Sequence, residues 1–166
     1  MPSQQTAKRF MNAPPRMSLF ARRRLSAGEI ALARGIFADS LDYARVRLMQ
    51  APPLNFNAMA PTGSLIIFSR WNAAWDFAET GLDEQGWLIH ELAHCWQGQS
   101  GRVLAFAKLS ALGRAAYKPP TGAAFAEMNI EAQAEIARML FLARCGRRCA
   151  PFEAAELEAL WPVARA

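Results

Sequence analysis

The chain has 166 residues, of which 52% are hydrophobic and 20% charged, and it carries a formal charge of +5. That length supports one domain with a real hydrophobic core, and the composition excludes a disordered or low-complexity chain. No stretch has the length and apolarity of a membrane span.

The positive charge belongs to one end of the chain. Residues 1–24 hold Lys8, Arg9, Arg16, Arg22, Arg23 and Arg24 and no acid, and the remainder is close to neutral. With Pro14-Pro15 and a polar start, this segment reads as a solvated, unfolded leader ahead of a domain over residues 25–166. A competing reading makes it an arm for nucleic acid or an anionic membrane, whose mark would be steeply salt-dependent binding. The segment lacks the continuous apolar core of a secretory signal, so the expected location is the cytoplasm; a specialised secretion system needs no such signal. The three cysteines, Cys95, Cys145 and Cys149, suit a reducing compartment. Cys145 and Cys149 have no second pair to complete a zinc site and read as packing residues or a late disulfide.

In chain order, residues 25–37 predict a helix. Ser26 and Glu29 form a capping box, and Ile30, Leu32, Ala33, Ile36 and Phe37 make an apolar stripe. Residues 41–48 alternate like a strand, and residues 50–57, with Pro52-Pro53, read as a loop. Met59 and Ala60, the turn Pro61-Thr62-Gly63, and Leu65 to Phe68 read as a hairpin whose free edge could take up an extended peptide. Residues 71–80 are aromatic and irregular; Trp71, Trp75 and Phe77 are either core or the lining of a pocket. A helix is expected from about residue 82 to about residue 100, and another over residues 102–116, ended by the break at Tyr117 to Gly122. Asn129 can cap a further helix, Arg144 to Arg148 suit its C-terminus, and Pro151 opens a last helix with Leu157, Leu160 and Trp161 inward.

The chemistry concentrates in His90-Glu91-Leu92-Ala93-His94. The chain has only two histidines, and they stand four apart with a glutamate directly after the first. On a helix they share a face and can offer two imidazole nitrogens to one cation. Glu91 then lies beside the cation, placed to take a proton from a water held there. Trp87, Leu88, Ile89, Leu92, Ala93, Cys95 and Trp96 make the helix apolar nearly all round, so it should be buried, with Cys95 in the core. A buried, charged Glu91 is costly unless a cation compensates it.

A hydrolytic zinc site takes three protein ligands and leaves a position for water. Since no third histidine exists, the third ligand is a carboxylate or a thiolate. Glu131 and Glu135 are four apart on the helix after Asn129. One can bind the metal, and the other can accept the free ring N–H of a ligand histidine. Hydrolysis also needs a donor for the developing oxyanion. Tyr117, Tyr43 or an arginine must serve, and Tyr117 is preferred because it lies between the two candidate metal helices.

H-E-x-x-H followed by E-x-x-A-E resembles the gluzincin branch of zinc metallopeptidases. That likeness implies Glu131 as the third ligand and Glu135 as the acid that supports a histidine. The flanking words His90 to Gln97, Leu25 to Ile30 and Gln133 to Ile136 resemble a bacterial group labelled Vgr-related or Rhs-associated, similar to peptidase-like domains found near contractile injection systems. The likeness covers roughly residues 25–142.

The expected fold is therefore α+β and zincin-like, a single domain that holds the metal between two buried helices beside a small sheet. The expected function is zinc-dependent peptide-bond hydrolysis, with His90, His94 and Glu131 on the metal, Glu91 and Tyr117 catalytic and Glu135 in support. Two imidazoles and a carboxylate suit zinc. The expected partners are a peptide or protein substrate and components of a secretion system, with no specific nucleic acid. The alternative is a catalytically silent, metal-stabilised structural or adaptor domain of such a system.

Overall fold

The structure is a computed structural model in which residues 15–102 and 117–164 are described. The order of elements is β1 (Arg22–Arg24), α1 (Ala27–Phe37), β2 (Arg47–Gln50), β3 (Ala58–Thr62), β4 (Leu65–Phe68), α2 (Leu82–Gln99), α3 (Ile130–Arg144) and α4 (Ala154–Leu160), with short 3-10 turns at Tyr43–Arg45, Phe77–Glu79 and Phe125–Glu127. This is a mixed α+β domain with one small sheet. The helix expected over residues 102–116, with Val103, Leu104, Phe106 and Leu112, falls almost wholly outside the described residues.

The sheet order is β1-β2-β4-β3. β1 and β3 flank a central parallel pair, β2 and β4, and each is antiparallel to its neighbour. β3 carries Pro61, which has no N–H for a ladder and is tolerated because the strand lies at an edge. Its turn rests on the end of α2: a Cβ at Gly63 would stand 2.8 Å from the Gln99 nitrogen and 2.9 Å from the Gly98 carbonyl carbon. The missing side chain thus lets the hairpin close onto the helix that holds the histidines.

Two expectations change. The strand expected over residues 41–48 begins only at Arg47, because the Asp42 carboxylate accepts from the Ala44 N–H and folds residues 43–45 into a 3-10 turn. The basic segment expected to be a leader as far as residue 24 enters the fold earlier. Arg16 bridges to Ala74, Met17 is core, and Arg22–Arg24 is the first strand. The physical reason is Glu29. It is fully buried and accepts from both Arg23 guanidinium nitrogens at 2.7 Å and from the Ser26 and Phe77 amides at 2.8 Å. A bidentate arginine is what makes that buried carboxylate tolerable. Glu29 is therefore both half of the expected capping box on α1 and the knot that ties β1, α1 and the 77–79 turn together.

Removing one partner of such a pair leaves an uncompensated buried charge. Glu29→Ala is expected to cost about 3–5 kcal/mol in urea unfolding. Joint replacement of Arg23 and Glu29 by Met should cost clearly less than Glu29→Ala, and equal costs would show that the charge pairing is not what matters.

The core runs from Phe37, Leu48, Ile66 and Phe68 under the sheet to Leu88, Ile89 and Leu92 on α2 and Ile136 and Leu140 on α3. α2 and α3 pack along each other with Ala132, Ala134 and Ala137 fully buried on α3. Small side chains there allow close approach. No helix among the described residues is long and apolar enough to cross a membrane. Cys145 and Cys149 are free thiols, and Cys95 lies in the core as expected.

Candidate metal centre

α2 begins at Gly81 with Asp83 and Glu84 in its first turn, where carboxylates suit the positive end of a helix. Its middle is buried on almost every side, so His90, Glu91 and His94 all lie inside the protein. α3 begins at Asn129, whose side chain accepts from the Ala132 N–H, and Glu131 follows in the first turn. The packing of these two helices carries Glu131 to both histidines.

His90 Nε2 and His94 Nε2 stand 3.2 Å and 3.1 Å from the same oxygen, Glu131 Oε2. The three donor atoms lie within 4.8 Å of one another. Tetrahedral ligands at zinc distances of about 2.0–2.1 Å stand roughly 3.3 Å apart, so the separations suit a cation of that size. A second observation points the same way. Glu91 is 3% exposed, yet its Oε2 has no hydrogen-bond partner among the described residues. A buried carboxylate oxygen left alone is costly unless a cation or a water answers it. The residues present therefore fit a zinc ion.

The two histidines and the carboxylates around them shift one another strongly. Burial alone would depress the His90 ring, but hydrogen bonds to Glu131 and Glu135, and the charges of Glu91 and Glu131, push it up to about 9. Burial would raise Glu131, and the two histidines more than reverse this, holding it well below the usual carboxylate range. Glu135 is also lowered against its burial, by His90 and Arg138. Its Oε2 lies 3.4 Å from His90 Nδ1, and its Oε1 accepts from Arg138 at 2.6 Å. Glu135 thus reaches the side of His90 that faces away from the candidate cation.

Tyr117 stacks on His90 with ring centroids 5.8 Å apart, and it is exposed. Burial of part of the ring, then the Glu131 and Glu91 charges and a hydrogen bond to Glu131, raise its phenol. Tyr43, the other tyrosine considered, is occupied elsewhere: its hydroxyl donates to the Ala38 carbonyl at 2.5 Å.

Two contacts went unread in the sequence. Trp87 stacks on His90 at 6.1 Å and lines a cavity of about 310 Å³ with Asn57, Phe68, Asn72, Phe77, Asp83 and Glu84. Trp71 and Trp75 are exposed, whereas Phe77 belongs to the core. Gln97 accepts from His94 Nδ1 at 2.9 Å. Both residues were findable, since each lies three positions from a histidine on one helix face.

Comparison with known proteins adds an independent line. No family model matches the sequence. The chain is 38% identical over 133 residues to the type VI secretion system spike protein VgrG2b of Pseudomonas aeruginosa, an alignment covering 74% of this chain and 13% of that protein's length. It also superposes on the solved effector domain of Pseudomonas aeruginosa VgrG2b with a TM-score of 0.63 and 28% identity, covering 93% of this chain and 88% of that domain. The chain spans only a small part of the whole spike protein but most of the length of its effector domain, and it is similar to that domain in both sequence and fold.

Proposed function

We propose that this chain works as an effector module of a type VI secretion apparatus, and that its chemistry is zinc-dependent hydrolysis of peptide bonds. The observation that carries the chemistry is the unpartnered Glu91 oxygen beside three converging donor atoms. The likeness to the VgrG2b effector domain supports the secretion context. The order of donors, two histidines on α2 and an acid on α3, is the gluzincin arrangement that the sequence resembles.

A zinc ion at this site would supply an acidified water and a Lewis acid for a carbonyl. His90, His94 and Glu131 would hold it. Glu91 accepts the proton of the attacking water and returns it to the leaving amine. Tyr117 donates to the carbonyl oxygen as charge builds there. Glu135 orients His90 through Nδ1. An extended substrate can pair with the edge of β3, which among the described residues is paired only with β4.

The test is metal analysis of purified protein together with a screen of peptide substrates. The expected result is one zinc per chain and hydrolysis that a chelator removes. Glu131→Ala should lose more than roughly 100-fold in zinc affinity, beyond what supporting residues usually cost. A protein that never holds stoichiometric metal overturns the proposal.

A second reading is a catalytically silent, metal-stabilised domain of the same apparatus. The burial of all three donor residues, each at most 5% exposed, favours it. Zinc that raises the melting temperature in a protein cleaving none of the peptides would select this reading.

A further inference from the structure

Gln97 and Gln133 are amides buried to 1% exposure or less, on two helices, and they bond to each other. Buried amides have a direction, because one end only donates and the other only accepts. Here the direction can be read from the ends of the chain. Arg102 donates to Gln133 Oε1 at 2.9 Å, and a guanidinium cannot accept. Gln133 Nε2 donates to the Phe125 carbonyl at 2.8 Å, and a carbonyl cannot donate. Gln133 is thus pinned at both ends. Gln97 Nε2 donates to Gln133 Oε1 at 3.1 Å and to the Ile130 carbonyl at 3.0 Å, so turning this amide would set its oxygen against two other oxygens. Gln97 Oε1 is left facing His94 Nδ1 at 2.9 Å. A carbonyl oxygen there requires the hydrogen to be on Nδ1.

His94 has a rival for that hydrogen. Glu131 Oε2 lies 3.1 Å from Nε2 and would draw it there. A neutral ring holding its hydrogen on Nε2 has no lone pair for a cation at the position shared with His90 and Glu131.

We propose that Gln97, held in one orientation by Gln133 and Arg102, is a positioning residue that keeps neutral His94 as the Nδ1–H tautomer and leaves Nε2 free for the metal. The proposal rests on the metal reading above for its purpose, but not on any hydrolysis. It differs from the support given to His90, which comes from a carboxylate. His94 is served by a neutral amide chain that crosses from α2 to α3 and ends at the exposed Arg102.

The test uses the full chain labelled with ¹⁵N-histidine. With only two histidines, four ring nitrogens are observed. In the metal-free wild type at pH 10, His94 should show a protonated Nδ1 and a bare Nε2. In Gln97→Leu the hydrogen should move to Nε2, and zinc affinity should fall roughly 10- to 100-fold, the usual cost of removing a histidine's outer partner. A wild type that already holds the hydrogen on Nε2 overturns the proposal without any variant needing to fold. So does a Gln97→Leu protein with an unchanged tautomer or unchanged zinc affinity. A loss of melting temperature alone, with the ring nitrogens unmoved, marks a merely structural amide and also overturns it. The predicted tautomer shift and zinc loss in Gln97→Leu, beside a zinc-loaded wild type that cleaves no peptide, would support this proposal and count against the peptidase reading alone.

Discussion

Glu91→Gln is expected to keep its zinc and to lose hydrolysis by roughly 10²–10⁴-fold, the range that a positioned general base supplies. The reasoning starts from the orphaned oxygen. Glu91 lies on α2 directly after His90, is buried, and leaves Oε2 without a partner among the described residues. Its charge acts on both His90 and Tyr117, which places it at the site without making it one of the three converging donors. Glutamine has nearly the same shape, so ligand geometry should survive, but it cannot take a proton from water. Zinc content by mass spectrometry, peptide turnover and a thermal melt decide the matter together. A variant that unfolds or sheds its zinc would give Glu91 a structural role and remove it from the chemistry.

The second large effect is on pH. His90 is raised from 6.5 to about 9 by the carboxylates around it, against the effect of burial. A raised histidine contributes stability that is complete below about 6.5 and is lost as pH climbs through 9. Glu131 and Glu135 are lowered from 4.5, against burial, so their contribution is complete above 4.5 and is lost as pH falls. The metal-free protein should therefore be most stable between about 4.5 and 6.5 and lose on the order of 3 kcal/mol from His90 by pH 9 or above. Zinc binding should run the other way. His90 must give up a proton before Nε2 can bind a cation, so apparent zinc affinity should rise about tenfold per pH unit up to about 9 and then level off. Chelator competition across this range measures the slope. An affinity independent of pH between 7 and 9 would show that zinc displaces no proton from His90.

Much of the architecture was legible because it depends on neighbours in sequence. The capping box at Ser26 and Glu29, the Asn129 cap and the helix from Leu82 to Gln99 all follow from local hydrogen bonding and periodicity, and the expected hairpin forms, although its turn is Gly63-Ser64 and Pro61 and Thr62 belong to β3. The i, i+4 spacing of His90 and His94 is likewise a local fact. Residues 41–48 were misread because alternation predicts a strand, while the decisive bond, Asp42 to the Ala44 amide, closes a tighter turn first.

By itself, then, the chain's order of residues determined which helices form and that two histidines share one face, since a helix needs only its own backbone and caps. Only the tertiary structure decided which acid meets them. Glu131 and Glu135 are equivalent in spacing, and it is the packing of α3 on α2 that turns Glu131 Oε2 toward both Nε2 atoms and Glu135 toward His90 Nδ1. The same holds for Arg23 with Glu29, and for the amides of Gln97 and Gln133. Buried polar groups choose partners across elements, because inside the core water is not there to satisfy them.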